Sequence, residues 1–201
     1  MARTVKPNEY GVITSCPKDV KEAVIPAGVT AIGERAFSGC AALSSVEIPS
    51  SVTAIGDFAF KGCNITELSH PCLTIKGGVA IKDGKVQYCA SQAREIVIPA
   101  GVTEIGCGAF MDCTALASVV IPAGVTEIGW AAFSGCTALA SVVIPESVTE
   151  IGERAFKGCK SLAAVEFGGT KAEWKAVKKY RNWHKDVPAK SVKCADGEAR
   201  L

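Results

Sequence analysis

Apolar and polar positions recur along this chain with a fixed step of 23 residues. Ile-Pro pairs mark the step most clearly, and they begin at Ile25, Ile48, Ile98, Ile121 and Ile144. The intervals are therefore 23, 50, 23 and 23 residues, and one unit reads L-x-x-V-x-I-P-x-x-V-T-x-I-G-x-x-A-F-x-G-C-x-x. Since no unit of this kind can bury its own apolar face, the repetition predicts a solenoid of stacked units.

Each unit divides into two halves with different patterns. In the first half, Val119 and Ile121 alternate as in a strand with one face in the core, and Pro122 ends the hydrogen-bonding ladder. We expect these strands to stack in parallel on a concave face. The second half, residues 125–136, contains two glycines and no long helical period, which predicts a short strand or irregular turn on the convex side. The phenylalanines of successive units should then stack: Phe37, Phe60, Phe110, Phe133 and Phe156.

The 50-residue interval contains a degenerate unit. Residues 65–71 look like a strand that is one residue short, with His70 in place of the usual core isoleucine. Three alternating segments follow, separated by Gly77-Gly78 and Asp83-Gly84, which are strong hairpin signals. These features predict an antiparallel β-meander within the array.

The meander separates two half-arrays whose first segments are similar. The block that begins at Gly11 aligns without gaps, at an offset of 73 residues, with the block that begins at Gly84. We therefore expect a first half-array over residues 10–71, the meander over 72–89 and a second half-array over 90–168.

Residues 169–201 lie beyond the last regular unit and predict a C-terminal cap. Thr170 and Glu173 match a capping box, and Trp174, Val177 and Tyr180 follow at helical spacing. We expect a short amphipathic helix that covers the open end of the solenoid. A helix that docks onto a partner is the alternative.

Five of the ten cysteines occupy one repeat position, which predicts a row of buried thiols: Cys40, Cys63, Cys113, Cys136 and Cys159. No cysteine or histidine has the spacing of a metal site, so we predict no metal. A disulfide between Cys72 and Cys89 is an alternative to free thiols. His70 is expected to be a hydrogen-bonded structural histidine, and His184 to be solvated.

Composition and charge exclude several functions. Twenty-two basic and 20 acidic residues give a net charge of +2, which disfavours nucleic acid and anionic lipid as partners. No apolar segment approaches the ~20 residues that cross a bilayer, and residues 1–12 lack the apolar core of a signal peptide. The many thiols favour a reducing compartment. No catalytic or nucleotide-binding motif is present, so neither an enzyme nor a cofactor is predicted.

The outward-facing strand positions of the second half-array are the candidate binding site. Val97, Val120 and Val143 form an apolar strip at positions that should face solvent. Small residues flank the strip, namely Ala117, Ser118, Ala140 and Ser141. The alternative is that valine simply suits a parallel strand.

With these residues in view, the units resemble the BspA-like class of bacterial leucine-rich repeats. The resemblance covers residues ~16–194, and the segment G-G-T-K-A-E-W-K-A-V is similar to the closing segment of clostridial and treponemal members. It implies a surface-exposed or secreted module that binds host or bacterial proteins.

Two functions are therefore open. The first is a protein-interaction or adhesion module that uses the concave sheet, either with a protein partner or with a second copy of itself. The second is a binder of an apolar small molecule or lipid in a pocket where the half-arrays meet.

Overall fold

The computed structural model describes residues 2–89 and 93–201, which form a β-solenoid with one short helix. The described chain makes two compact units. The first unit contains the residues up to Lys82 together with Tyr88 and Cys89, and the second contains Asp83–Gln87 and the residues from Ala93 onwards. The leucine-rich-repeat solenoid predicted from the 23-residue step is confirmed.

The first half of each repeat forms what we call a front strand. The front strands of the first unit are β1 (Arg3–Thr4), β3 (Glu22–Val24) and β5 (Ser45–Glu47). Those of the second unit are β11 (Glu95–Val97), β13 (Ser118–Val120), β15 (Ser141–Ile144), β17 (Ala164–Phe167) and β19 (Ser191–Cys194), followed by the antiparallel β20 (Gly197–Arg200). The paired front strands of regular repeats run parallel in 23-residue register, as Val97 opposite Val120 illustrates, whereas the first and last pairs, β1–β3 and β17–β19, are offset by 20 and 27 residues.

The second half of each repeat forms a two-residue back strand. The first unit contains β2 (Val12–Ile13), β4 (Ala31–Ile32) and β6 (Ala54–Ile55). The second unit contains β12 (Glu104–Ile105), β14 (Glu127–Ile128), β16 (Glu150–Ile151) and β18 (Lys178–Lys179), and residues 85 and 86 of β10 (Lys85–Cys89) pair with β12. Successive back strands approach closely, since a Cβ on Gly152 would lie 2.6 Å from the carbonyl carbon of Gly129. This approach explains the glycine after each Ile.

The 73-residue offset between the two blocks is also a structural equivalence. In the first unit, the Gly33 amide donates to the carbonyl of Ile13 at 2.8 Å. In the second, the Gly106 amide donates to the carbonyl of Val86 at 2.9 Å. Val12–Ile13 and Lys85–Val86 therefore open their back sheets in the same way.

The predicted aromatic stack forms within each unit. The ring centroids of Phe37 and Phe60 lie 4.8 Å apart, and those of Phe133 lie 4.8 Å from Phe110 and 5.1 Å from Phe156. All five rings are buried. Offset stacking of this kind adds to the apolar burial that holds one repeat against the next.

The predicted antiparallel meander is present, and it includes one strand, β7 (Leu68–His70), that precedes the predicted range of 72–89. Strands β7, β8 (Leu73–Lys76) and β9 (Val79–Lys82) pair antiparallel, and Gly77 and Gly78 supply the positive φ angles of the tight turn. His70, which takes the place of the usual core isoleucine in the sequence, does not lie in a parallel strand, because β7 pairs antiparallel with β8. His70 is half-buried, and its Nδ1 accepts from the Cys72 amide at 3.2 Å. His70 is thus hydrogen-bonded as predicted, through Nδ1, whereas its Nε2 is buried and has no hydrogen-bond partner among the described residues.

The C-terminal helix begins as predicted but is shorter. Helix α1 (Lys171–Ala176) has the capping box, in which Thr170 accepts from the Glu173 amide and the Glu173 carboxylate accepts from the Thr170 amide at 2.7 Å. The expectation that the helix continues to Tyr180 is wrong. Val177 leaves the helical conformation, and β18 then pairs parallel with β16. Trp174 is buried against Phe167 and Trp183, at centroid distances of 5.2 and 5.7 Å.

Residues after the helix form a further solenoid turn that the sequence did not reveal. The Trp183 carbonyl accepts from the Phe156 amide at 2.7 Å, just as the Ala155 carbonyl accepts from the Phe133 amide at 2.7 Å. His184 therefore stands at the phenylalanine position of the repeat, and the expectation that it is solvated is wrong. It is half-buried, and burial lowers the pKa of its imidazole.

Candidate binding surface

The Val97–Val120–Val143 strip (Val97, Val120 and Val143) lies on the outer face of the front strands, where the alternation placed it. The exposed fractions of these valines are 67%, 53% and 53%. Their strand neighbours Val119 and Val142 point the other way and are buried. Val97 lies opposite Val120 in the paired strands β11 and β13, and β15, which carries Val143, is the neighbouring strand, so the three side chains present apolar surface on one face.

Small exposed residues and one ion pair border the strip. The flanking residues named from the sequence are all exposed, namely Ala117, Ser118, Ala140 and Ser141. On the far side of Val143 the next strand places Glu166, whose carboxylate pairs with the Lys193 ammonium at 3.3 Å. The apolar strip therefore ends at the Glu166–Lys193 ion pair.

The same repeat position is charged elsewhere in the chain. Glu47 occupies it in the first unit, and Glu166 occupies it directly beside Val143 in the second. Both glutamates lie in regular front strands. The fold therefore accepts a charged side chain at this position and does not require valine there.

The thiol row is buried as predicted. The thiols of Cys63, Cys136 and Cys159 donate to the carbonyls of Phe37, Phe110 and Phe133 in the preceding repeats, at 3.1, 3.0 and 3.1 Å. Burial raises the pKa of Cys63 and of Cys159 to about 12. These thiols hold successive repeats together and are poor nucleophiles at neutral pH.

Among the described residues, no group of three or more His, Cys, Asp or Glu side chains is arranged to hold a metal ion. Cys72 is a thiol whose Sγ donates to the carbonyl of Thr53 at 3.1 Å. The alternative of a Cys72–Cys89 disulfide is therefore not realised in the structure.

A row of charged side chains on the back sheet of the second unit was not predicted from the sequence. The cross-strand register is Lys85, Glu104, Glu127, Glu150, Lys178, with each residue opposite the next. The terminal lysines pair with Glu104 and Glu150, whereas Glu127 has a carboxylate on either side. Burial, and then Glu104 and Glu150, raise the pKa of Glu127. The 23-residue spacing of these glutamates in V-T-E-I-G was the available signal.

The geometry defines the class of protein as a leucine-rich-repeat β-solenoid. Six copies of the BspA type leucine rich repeat region match residues 14–77 and 80–178. The chain belongs to this family. Proteins of the family are repeat scaffolds, generally without enzymatic activity, and they commonly serve protein-binding or surface roles.

Three solved structures illustrate the similarity. A leucine rich cell surface protein from Faecalibacterium prausnitzii is 26% identical over 79% of this chain and 56% of its own, with a TM-score of 0.48. The pneumococcal vaccine antigen PcpA is 17% identical over 87% and 56%, with a TM-score of 0.56. The leucine rich repeat protein of T. pallidum is 30% identical over 85% and 73%, with a TM-score of 0.41.

The chain thus spans just over half the length of the first two of these proteins. Comparison with curated proteins found no match. In the described part of the chain, no helix has the length and apolar character needed to span a membrane.

Proposed function

We propose that this chain is a non-catalytic protein-binding module, and that the Val97–Val120–Val143 strip is its recognition surface. The observation that carries the proposal is the contrast at one repeat position. Glutamate stands there in β5 and β17 without disturbing the strand, yet three successive strands of the second unit carry exposed valine. Exposed apolar side chains that the fold does not need are typical of binding surfaces.

The size of the strip favours a short partner segment over a large flat interface. Adjacent strands are ~4.8 Å apart, so the three valines span only about 10 Å. Three half-exposed valines offer far less than the ~800 Å² that each partner buries in a stable dimer. The partner we propose is therefore a segment of another protein that presents two or three apolar side chains on one face.

A peptide library displayed on phage tests this proposal, because it offers the strip many different apolar segments at once. Peptides are selected on the wild-type protein and then measured individually against a V120E/V143E variant. Glutamate is the right replacement because Glu166 already occupies this position next to Val143. We expect the selected peptides to be apolar and to lose at least tenfold in affinity on the variant.

Val24→Glu provides the matched control, since Val24 holds the same repeat position in the first unit. Selected peptides should bind this control as they bind the wild type. Peptides that bind V120E/V143E with unchanged affinity would contradict the proposal. A concentration-dependent dimer that the double variant abolishes would instead assign the strip to self-association.

A further inference from the structure

Positive charge is concentrated in the C-terminal segment. Residues 169–201 contain nine lysines and arginines but only four aspartates and glutamates, whereas the whole chain is close to balanced at 22 and 20. The net charge of the whole chain is therefore close to neutral although its C-terminal segment is basic, and a basic segment attracts anionic partners.

Several of these cations surround one groove between α1 and β20. The groove has a volume of about 380 Å³, and Lys171, Lys175, Lys179 and Arg200 line it together with Trp174. Lys171 and Lys175 stand one helical turn apart, and the Lys171 ammonium lies beside Gly197 at the start of β20. The apolar side chains of Trp174, Ala199 and Leu201 complete the lining.

These four cations have no ion-pair partner within the described part of the chain. Lys179 is half-buried, and its ammonium donates to the carbonyls of Trp174 and Val177 at 2.6 and 2.7 Å. Three acids lie on or beside the same elements, namely Glu173, Asp196 and Glu198, and none of them forms an ion pair with these cations in the described part of the chain. The Glu173 carboxylate serves the capping box, and the Asp196 carboxylate accepts from the Lys171 amide at 2.7 Å. The four groove cations thus have no ion-pair partner and outnumber the three acids on α1, on β20 and in the turn before it.

An unpaired strand edge runs beside the groove. Strand β20 pairs with β19 on one side and ends the sheet, and no described strand pairs with its other edge. Free amides and carbonyls along such an edge can pair with an extended peptide.

We propose that this groove binds an acidic, extended segment of a partner protein along the edge of β20. The spacing of the cations favours a peptide over a compact anion. Side chains one turn apart on a helix are ~6 Å apart, and alternate side chains on an extended strand are ~6.6 Å apart. Two glutamates at alternate positions can therefore reach Lys171 and Lys175 together. This surface is distinct from the Val97–Val120–Val143 strip.

The probe is a fluorescein-labelled seven-residue peptide of alternating glutamate and threonine, measured by fluorescence anisotropy against the full chain. We expect binding that weakens with salt and that falls at least tenfold in K171A/K175A. The matched control is K157A/K160A, which removes the same charge from a regular repeat. A peptide with glutamine in place of glutamate should not bind, and V120E/V143E should leave binding unchanged.

Two further measurements separate strand addition from simple charge attraction. A peptide with N-methylated backbone amides keeps its charges but cannot pair with β20, so its affinity should fall severalfold. Equal affinity of the methylated peptide, equal weakening by K157A/K160A, or full displacement by millimolar inorganic phosphate at constant ionic strength would each overturn the proposal. Circular dichroism of K171A/K175A, whose altered side chains are both exposed, checks that the fold is retained.

Discussion

The ammonium of Lys82 donates to the backbone carbonyl of Ile55 at 3.1 Å. In the second unit the equivalent carbonyl, that of Ile105, accepts from the Gly129 amide of the next repeat at 2.8 Å. β6 is the last strand of its three-stranded back sheet, so the Lys82 side chain replaces the backbone donor that a next repeat would supply. The Cys72 thiol does the same for the Thr53 carbonyl. The meander thus supplies hydrogen-bond donors to the carbonyls at the open edge of the first back sheet.

Lys82→Met should therefore destabilise the first unit. The variant keeps the aliphatic stem but leaves the Ile55 carbonyl without its charged donor, and it also removes the ion pair of Lys82 with Asp57 at 3.7 Å. Bonds of this kind contribute about 1–3 kcal/mol, and half-exposure places the expected loss near 1 kcal/mol. Urea denaturation followed by circular dichroism measures it. Lys76→Met on the neighbouring strand β8 is the control, since Lys76 is exposed and in no ion pair of the described chain, and equal losses in both variants would contradict this role.

Asp112 occupies a backbone conformation that suits glycine. Its φ is 57°, and the equivalent residue in four other repeats is a glycine with φ between 73° and 76°, namely Gly39, Gly62, Gly135 and Gly158. Asp112→Gly should raise the free energy of unfolding by about 0.5–1 kcal/mol, because left-handed conformations cost an L-residue roughly 1–2 kcal/mol and glycine returns part of that as chain entropy. Thermal denaturation gives the comparison. Asp112→Ala should not stabilise, and a gain in both variants would assign the effect to the lost carboxylate instead.

The regular repeats were predictable because each residue position meets the same neighbours 23 residues away. The front strands, back strands, aromatic stack and thiol row all follow from that one step. The Val97–Val120–Val143 strip was predictable too, since strand alternation fixes which side faces out. The last solenoid turn could not be predicted from the sequence. Helix α1 lengthens its repeat, and Trp183 and His184 replace the Ala-Phe pair that marks the other units. The basic groove was hidden for a related reason, since Lys171 and Arg200 converge only after the chain has folded back.

Glu127 should make stability depend on pH in a defined direction. Its pKa is raised in the folded state by burial and by Glu104 and Glu150, so the folded protein binds this proton more tightly than the unfolded chain. The stabilisation due to that proton is complete below the ordinary pKa of 4.5 and is lost as the pH rises through the folded-state value.

Glu127→Gln removes the unfavourable free energy of holding an ionised carboxylate at this position in the folded protein. The variant should be more stable than the wild type at pH 7, by a few tenths of a kcal/mol to about 1 kcal/mol for like charges in adjacent strands, and the difference should vanish below pH 4. Denaturant midpoints across pH 3.5–8 measure it. Glu146→Gln, an exposed site on the same unit, should show no such trend, and a gain for Glu127→Gln that persists at pH 3.5 would mean that packing rather than charge is responsible.

The ten cysteines should divide sharply in their reactivity toward iodoacetamide. Cys107 is exposed, whereas Cys63 and Cys159 are buried, donate to backbone carbonyls, and have pKa values raised from 9.0 to about 12 by burial. Since the thiolate is the reacting species, such a rise in pKa lowers its population roughly 10³-fold at neutral pH, before any steric protection is counted. Peptide mass spectrometry after brief alkylation at pH 7.5 should find Cys107 modified and the two buried thiols intact. In 6 M guanidinium chloride all three should react at similar rates, because only the fold separates them. Modification of Cys63 or Cys159 at the rate of Cys107 in native buffer would show that the repeats open on the timescale of labelling, and the thiol row would then not hold neighbouring repeats together.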